Sequence, residues 1–219
     1  MQISEKGVKT MAECDGKNIS SRIELISDGR IRMALLGLRA AGKTTLAKAL
    51  LPSVEAVGTG SHESLAQADV LIYVHDLQQS CLSREEVDEL RVVAEMLCSR
   101  GQKNLVLIGT HRDCLSVDYG NKALEWLAAA VKSIIGFDIP SFGVSGSLWS
   151  LAKCESEFGR KIAASCFRES SGVDPILGWI EGVRWRLQSP GWAIADRIAN
   201  KVVSALAQRL SDGEKIVTL

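Results

Sequence analysis

The sequence carries no surplus of either charge: Lys plus Arg equals Asp plus Glu at 26 each, for a formal net charge of zero. Such a balance gives no electrostatic pull toward a polyanion, so nucleic acid is not expected as the main partner. Nor is there a C-x-x-C. The six cysteines (Cys14, Cys81, Cys98, Cys114, Cys154 and Cys166) are scattered and share no ligand spacing with His62, His75 or His111. That pattern argues for reduced thiols and against both a disulfide frame and a zinc site. No apolar run approaches the length of about 18 residues that reads as a membrane span, and no charged-then-apolar leader opens the chain. A soluble, cytoplasmic protein is the expectation. No internal repeat is visible, and 219 residues suit one domain with extensions.

Against these absences one stretch stands out. "GLRAAGKTT", Gly37 to Thr45, reads G-x-x-x-x-G-K-[ST], with Gly37, Gly42, Lys43 and Thr44 in register. The apolar residues Ile31 and Met33–Leu36 run into it, and Leu46, Ala47, Leu50 and Leu51 run out of it at helical spacing. A strand before and a helix after are the context in which this pattern has a physical meaning. Glycines let the backbone curl so that successive N–H groups point inward, and the following helix adds its positive end. Gly37, Arg39, Ala40, Ala41, Gly42, Lys43, Thr44 and Thr45 are therefore the candidate phosphate-binding residues. Lys43 would reach the β- and γ-phosphates, and the Thr44 hydroxyl would hold Mg²⁺. Replacing Lys43 is expected to remove a phosphate partner and no core contact.

Strands alternate with helices along the rest of the chain. "ADVLIYVHD" (68–76) and "NLVLIGT" (104–110) are near-continuous apolar runs, as expected for parallel strands buried on both faces. Between them "SREEVDELRVVAEMLCSRG" predicts an amphipathic helix with Val87, Leu90, Val93 or Ala94, and Leu97 on one face and Gly101 past its end. Residues 120–136 predict a helix, 139–146 a fourth short strand, 148–168 one amphipathic stretch, and 172–187 a helix with Pro175 near its start. This alternation predicts an α/β fold, a P-loop NTPase three-layer sandwich with a mostly parallel sheet and helices on both faces. Upstream, Asp28-Gly29 between two apolar runs is a hairpin signal. It predicts an N-terminal antiparallel strand over 22–26 pairing with 31–36. The predicted organisation is a flexible segment over 1–20, the nucleotide-binding domain over 21–187, and an amphipathic helix and tail over 188–219.

The base is read from two further elements. The strand 104–110 ends in Thr110-His111-Arg112-Asp113, which resembles the [NT]-[KQ]-x-D element of GTPases; that resemblance implies an Asp113 carboxylate accepting two hydrogen bonds from guanine N1 and N2, donors that adenine lacks. The alternative is an aspartate capping a turn. After the next strand, Val144-Ser145-Gly146-Ser147 stands where GTPases place S-A-[KL], and that resemblance implies a backbone N–H to guanine O6 from Ser145 or Gly146. The order and spacing of the three elements agree. With them the chain resembles a small P-loop GTPase of the translation-factor-related class, of the Era or bacterial dynamin-like sort. "ADVLIYVHD" is also similar to the corresponding strand of ethanolamine-utilisation GTPase-like proteins. "SGSLWSLAKCESEFGRKIAASCFRESSGVDPILGWI" resembles the dynamin-like arrangement of an inserted helix and then a closing helix. The resemblance covers about residues 31–187 and implies GTP/GDP and Mg²⁺ as ligands, a GTP-dependent switch, and a role for Thr110, His111 and Asp113 in holding the base.

Two parts of that pattern are absent. Between Lys43 and Val70 there is no D-x-x-G, and only residues 44–69 are available for a helix, two strands and both switch loops, although strands average five or six residues. Residues 53–64 read as a loop, in which Thr59 either imitates the switch threonine or is an ordinary loop residue. Asp76, ending an apolar strand, could replace the Mg²⁺-supporting acid. His62 could position water or be a solvated loop residue. His75 reads as a satisfied core histidine, and His111, in the place of the family's Lys or Gln, could stack on the base. Three functions follow. The first is a guanine-nucleotide switch with weak or partner-assisted hydrolysis, the second a non-catalytic scaffold, and the third a small P-loop kinase. Ile194, Ile198, Val202, Leu206 and Leu210 form an apolar stripe over 190–210 that either docks on its own domain or meets a protein partner.

Overall fold

The computed structural model describes residues 23–27, 31–50, 59–60, 65, 68–100 and 104–189, with backbone alone at 23–27, 59–60 and 99–100. The expectations for 1–20, 190–210 and His62 lie outside the described residues. Six strands form one sheet: β1 (Ile23–Ser27), β2 (Arg32–Leu36), β3 (Thr59–Gly60), β4 (Val70–Asp76), β5 (Leu105–Thr110) and β6 (Ser141–Gly143), in the order β3-β1-β2-β4-β5-β6. The strands β2, β4, β5 and β6 are mutually parallel. Among the described residues, six helices have defined bounds: α1 (Lys43–Leu50), α2 (Arg84–Arg100), α3 (Val117–Ile135), α4 (Gly146–Glu157), α5 (Lys161–Ser171) and α6 (Val173–Gln188).

Period-two alternation divides the core. Met33, Leu35, Ile72, Val74, Val106 and Ile108 face α1 and α6, where Leu46, Leu50, Ile176, Ile180 and Val183 are buried. Ala34, Leu36, Leu71, Tyr73, Leu105 and Leu107 face α2 and α3, meeting Leu90, Val93, Leu97, Leu127 and Val131. Strands covered on both faces need apolar side chains at every position, and that explains the unbroken runs. Each such side chain contributes about 1.5–3 kcal/mol on burial.

The N-terminal hairpin is present: β1 runs antiparallel to β2, with Glu24 opposite Leu35 and Ser27 opposite Arg32. Among the described residues the strand runs one residue past the expected end at 26, because Ser27 pairs with Arg32 within the ladder. The flank of β2 is thereby covered. Thr59 and Gly60, expected in a loop, instead pair with Glu24 and Ile23. A sheet edge presents unpaired N–H and C=O groups that recruit even a two-residue strand.

Helix ends follow their capping residues. Ser83 and Glu86 form a capping box at the start of α2: Glu86 N–H donates to Ser83 Oγ (3.2 Å) and Ser83 N–H to Glu86 Oε2 (2.8 Å). The α3 helix starts ahead of the expected 120 because Ser116 Oγ accepts from Tyr119 N–H (3.4 Å). It stops at Gly136, whose φ of 86° sends its N–H back to Lys132 O. The stretch 148–168 is two helices and not one. Gly159, with φ 72°, ends α4, and α5 folds back against it. On α2, Leu90, Val93 and Leu97 are buried as expected, while Val87 is only half-buried and Glu86 and Glu89 are buried instead.

Candidate functional site

The C-terminal ends of β2, β5 and β6 bring together three segments far apart in sequence. The loop after β2 begins at Gly37, whose φ is 121° and where a Cβ would lie 2.0 Å from the Val74 carbonyl oxygen. Only a residue without a side chain lets β2 end this close to β4. Gly42 (φ 87°) turns the loop into α1 against the Thr110 methyl, 3.2 Å from where its Cβ would be. Ala40 adopts φ 64°, which an L-residue does only at a cost. Arg39, Ala40, Thr44 and Thr45 are exposed, whereas Ala41 is buried.

Lys43 is only 5% exposed. Its Nζ donates to the carbonyls of Gly37 and Leu38, each at 2.6 Å. This corrects the expectation that replacing Lys43 removes no core contact: the buried ammonium clasps the first two residues of the loop, because curling the backbone turns those carbonyls inward, toward it.

Thr110 joins the second segment to the first. Its hydroxyl lies 2.8 Å from Ala41 O, to which it donates, and 3.1 Å from His75 O. The chain then turns through His111, whose φ of 57° and ψ of 29° are left-handed, into a single 3₁₀ turn, Arg112–Cys114. The His111 Nδ1 lies 2.9 Å from Asp76 Oδ1, an oxygen that also accepts from Gln78 N–H at 3.0 Å. Arg112 N–H donates to Val144 O, and its guanidinium to Asn121 Oδ1. The Asp113 side chain is exposed, within the 3₁₀ turn.

The third segment divides its duties. Ser145 is buried, its Oγ accepts from Leu148 N–H (3.1 Å) to cap α4, and its own N–H donates to Ser171 O (2.8 Å). The Ser145 N–H is thus committed within the fold, leaving Gly146 and Ser147 at the helix start as the available donors. Gly146 sits so close to α1 that a Cβ would be 2.5 Å from Thr45 Cγ2.

Between α1 and α4 lies a crevice of about 90 Å³ whose walls include Gly42, Thr45, Thr110, His111, Gly146 and Ser147. Every one of the three segments contributes. The crevice is smaller than the few hundred Å³ of an ordinary small-ligand pocket, so a larger ligand would lie partly on the exposed lip formed by Arg39, Ala40 and Thr44.

Beneath the site, His75 is buried and satisfied as expected: Nδ1 is 2.6 Å from Glu86 Oε1 and Nε2 is 3.3 Å from Gln79 O. Burial opposes the imidazolium, but the Glu86 carboxylate outweighs it and raises the His75 pKa. Burial likewise opposes ionised Glu86, and the bonds from His75 and Ser83 overcome it, lowering that pKa. The capping box was a visible signal for Glu86; the His111–Asp76 pair had none, since it depends on cross-strand register. Among the described residues no cluster of three His, Cys, Asp or Glu gathers to hold a metal ion, and no helix is long and apolar enough to cross a membrane. No family model and no curated protein matches the chain.

Proposed function

We propose that the chain is a guanine-nucleotide-binding protein, a GTPase-like switch with weak or partner-assisted hydrolysis, built on a P-loop sandwich. The observation that supports this reading best is the shared crevice: Gly37–Thr45, Thr110–Asp113 and Val144–Ser147, ordered in sequence as in such proteins, meet around it. In this reading the N–H groups of 39–45 and the Lys43 ammonium hold the phosphates, and Thr44 ligates Mg²⁺. Asp113, exposed on the 3₁₀ turn, accepts from the guanine N1 and N2 groups, and the start of α4 meets O6.

The hydrolytic parts are thin. No D-x-x-G lies between Lys43 and Val70, and the outer flank of β2 is taken by the antiparallel β1. Phosphoryl transfer is mostly positioning and charge neutralisation, so missing contacts leave a slow intrinsic rate. The same observation favours a second reading, a non-catalytic nucleotide-binding scaffold. A cytoplasmic location and a protein partner for 190–210 belong to the proposal as well.

Competition against a fluorescent GDP analogue tests the base. Guanine nucleotides should displace it far better than adenine nucleotides, Asp113→Ala should erase the preference, and Asp113→Asn should move it toward xanthine. An unchanged ranking across these variants would remove Asp113 from base recognition.

A further inference from the structure

We infer that Asp76 is a positioning residue for the purine. Its carboxylate locks the His111 ring as a fixed wall of the base crevice, and this is its role in place of holding Mg²⁺. The inference rests on the nucleotide-binding reading above and assigns that site a residue from a different strand.

Three observations carry it. His111 sits immediately after β5 in a left-handed conformation with its side chain 36% exposed; besides Asp76, its Nδ1 has only the longer 3.4 Å contact with Thr110 Oγ1 among the described residues. Asp76 stands on the neighbouring strand directly opposite Thr110 in register, which brings Oδ1 to 2.9 Å from His111 Nδ1. Asp76 is itself anchored, 17% exposed with Gln78 N–H on the same oxygen. A hydrogen bond at one ring nitrogen determines which nitrogen carries the proton. Here it places the proton on Nδ1 of a residue that lines the crevice together with Gly42 and Gly146. Ordering a mobile side chain on binding costs affinity, and a ring ordered beforehand does not incur that cost. With Oδ1 engaged by two protein donors, Asp76 is oriented by the His111 turn, and only Oδ2 is left for any other partner.

The test uses the full chain and four proteins: wild type, Asp76→Asn, Asp76→Ala and His111→Asn. Asparagine at 111 tolerates the left-handed backbone while deleting the ring. Affinity for a fluorescent GDP analogue is measured in Mg²⁺ and in EDTA. Asp76→Asn should stay within about twofold of wild type, because its amide oxygen still accepts from Nδ1–H. Asp76→Ala and His111→Asn should each weaken binding about tenfold, equally with and without Mg²⁺. An Asp76→Asn loss as large as that of Asp76→Ala, vanishing in EDTA, would overturn the inference in favour of a metal role. The ¹⁵N shifts of the His111 ring in ligand-free protein separate this from the underlying reading. A fixed Nδ1–H tautomer in wild type, lost in Asp76→Ala, is expected. A ring indistinguishable from free histidine would refute the lock whether or not GDP binds, and a wild type that shows the lock but binds no GDP would refute the purine role alone.

Discussion

Lys43 offers the sharpest perturbation, because its clasp on the loop predicts an effect in protein that has no nucleotide. Lys43→Ala leaves the Gly37 and Leu38 carbonyls without the ammonium that now lies 2.6 Å from each. An acceptor stranded in a buried setting costs about 1–3 kcal/mol. Gly37 is buried, whereas Leu38 is half-buried and its carbonyl keeps the Ala41 N–H (3.3 Å), so one full penalty and at most a fraction of a second are expected, about 2 kcal/mol in all. For a chain of this size each kcal/mol shifts Tm by about 2–4 °C, giving a fall of about 4–8 °C. Thermal and urea unfolding followed by circular dichroism, without nucleotide, reads this directly. Lys48→Ala, on the exposed side of the same helix, is the control and should stay within about 0.5 kcal/mol. If Lys43→Ala unfolds like Lys48→Ala, the clasp contributes nothing and the reasoning fails.

Gly37→Ala should be harsher still, since its Cβ would meet the Val74 carbonyl at 2.0 Å and neither strand can yield; a loss above about 3 kcal/mol, or failure to fold, is expected in urea denaturation. The His75–Glu86 pair predicts a pH window. The raised His75 pKa contributes stability that is full below its ordinary 6.5 and is lost as pH rises through the folded value. The lowered Glu86 pKa contributes stability present above its ordinary 4.5 and lost as pH falls through the folded value. Stability from the pair is therefore greatest between those pH values, and His75→Gln should flatten the profile; an unaltered profile would deny the coupling. Turnover of GTP by the isolated chain should be on the order of 10⁻⁴ s⁻¹ or below, with GTP and GDP bound about equally. Brisk hydrolysis would mean that the short loop rebuilds the missing contacts.

What the sequence made legible follows from how directly each feature depends on neighbours in the chain. The strands β4 and β5 were visible because burial on both faces writes an unbroken apolar run. The β1–β2 hairpin was visible through Asp28-Gly29, and α6 through its periodic apolar face and Pro175. Residues governed by distant partners were not. Glu86 and Glu89 were not singled out on the predicted helix, yet both are buried, Glu86 against His75. The division of α4 from α5 hung on Gly159, a small signal inside an amphipathic pattern that continued on both sides. At the site, the order of the three motifs gave the right neighbours around the crevice, while the Lys43 clasp, the Ser145 N–H bonded to Ser171 and the Asp76–His111 pair all depend on three-dimensional register.

The central claim is that three separated segments form a single guanine-nucleotide site, and backbone amide chemical-shift mapping of a GDP titration tests it most directly. Shifts at Gly42–Thr45, at Thr110–Asp113 and at Gly146–Ser147, saturating together at one affinity, are the predicted result. No saturable shift, or shifts confined to Gly42–Thr45 with the other two segments silent, would contradict it.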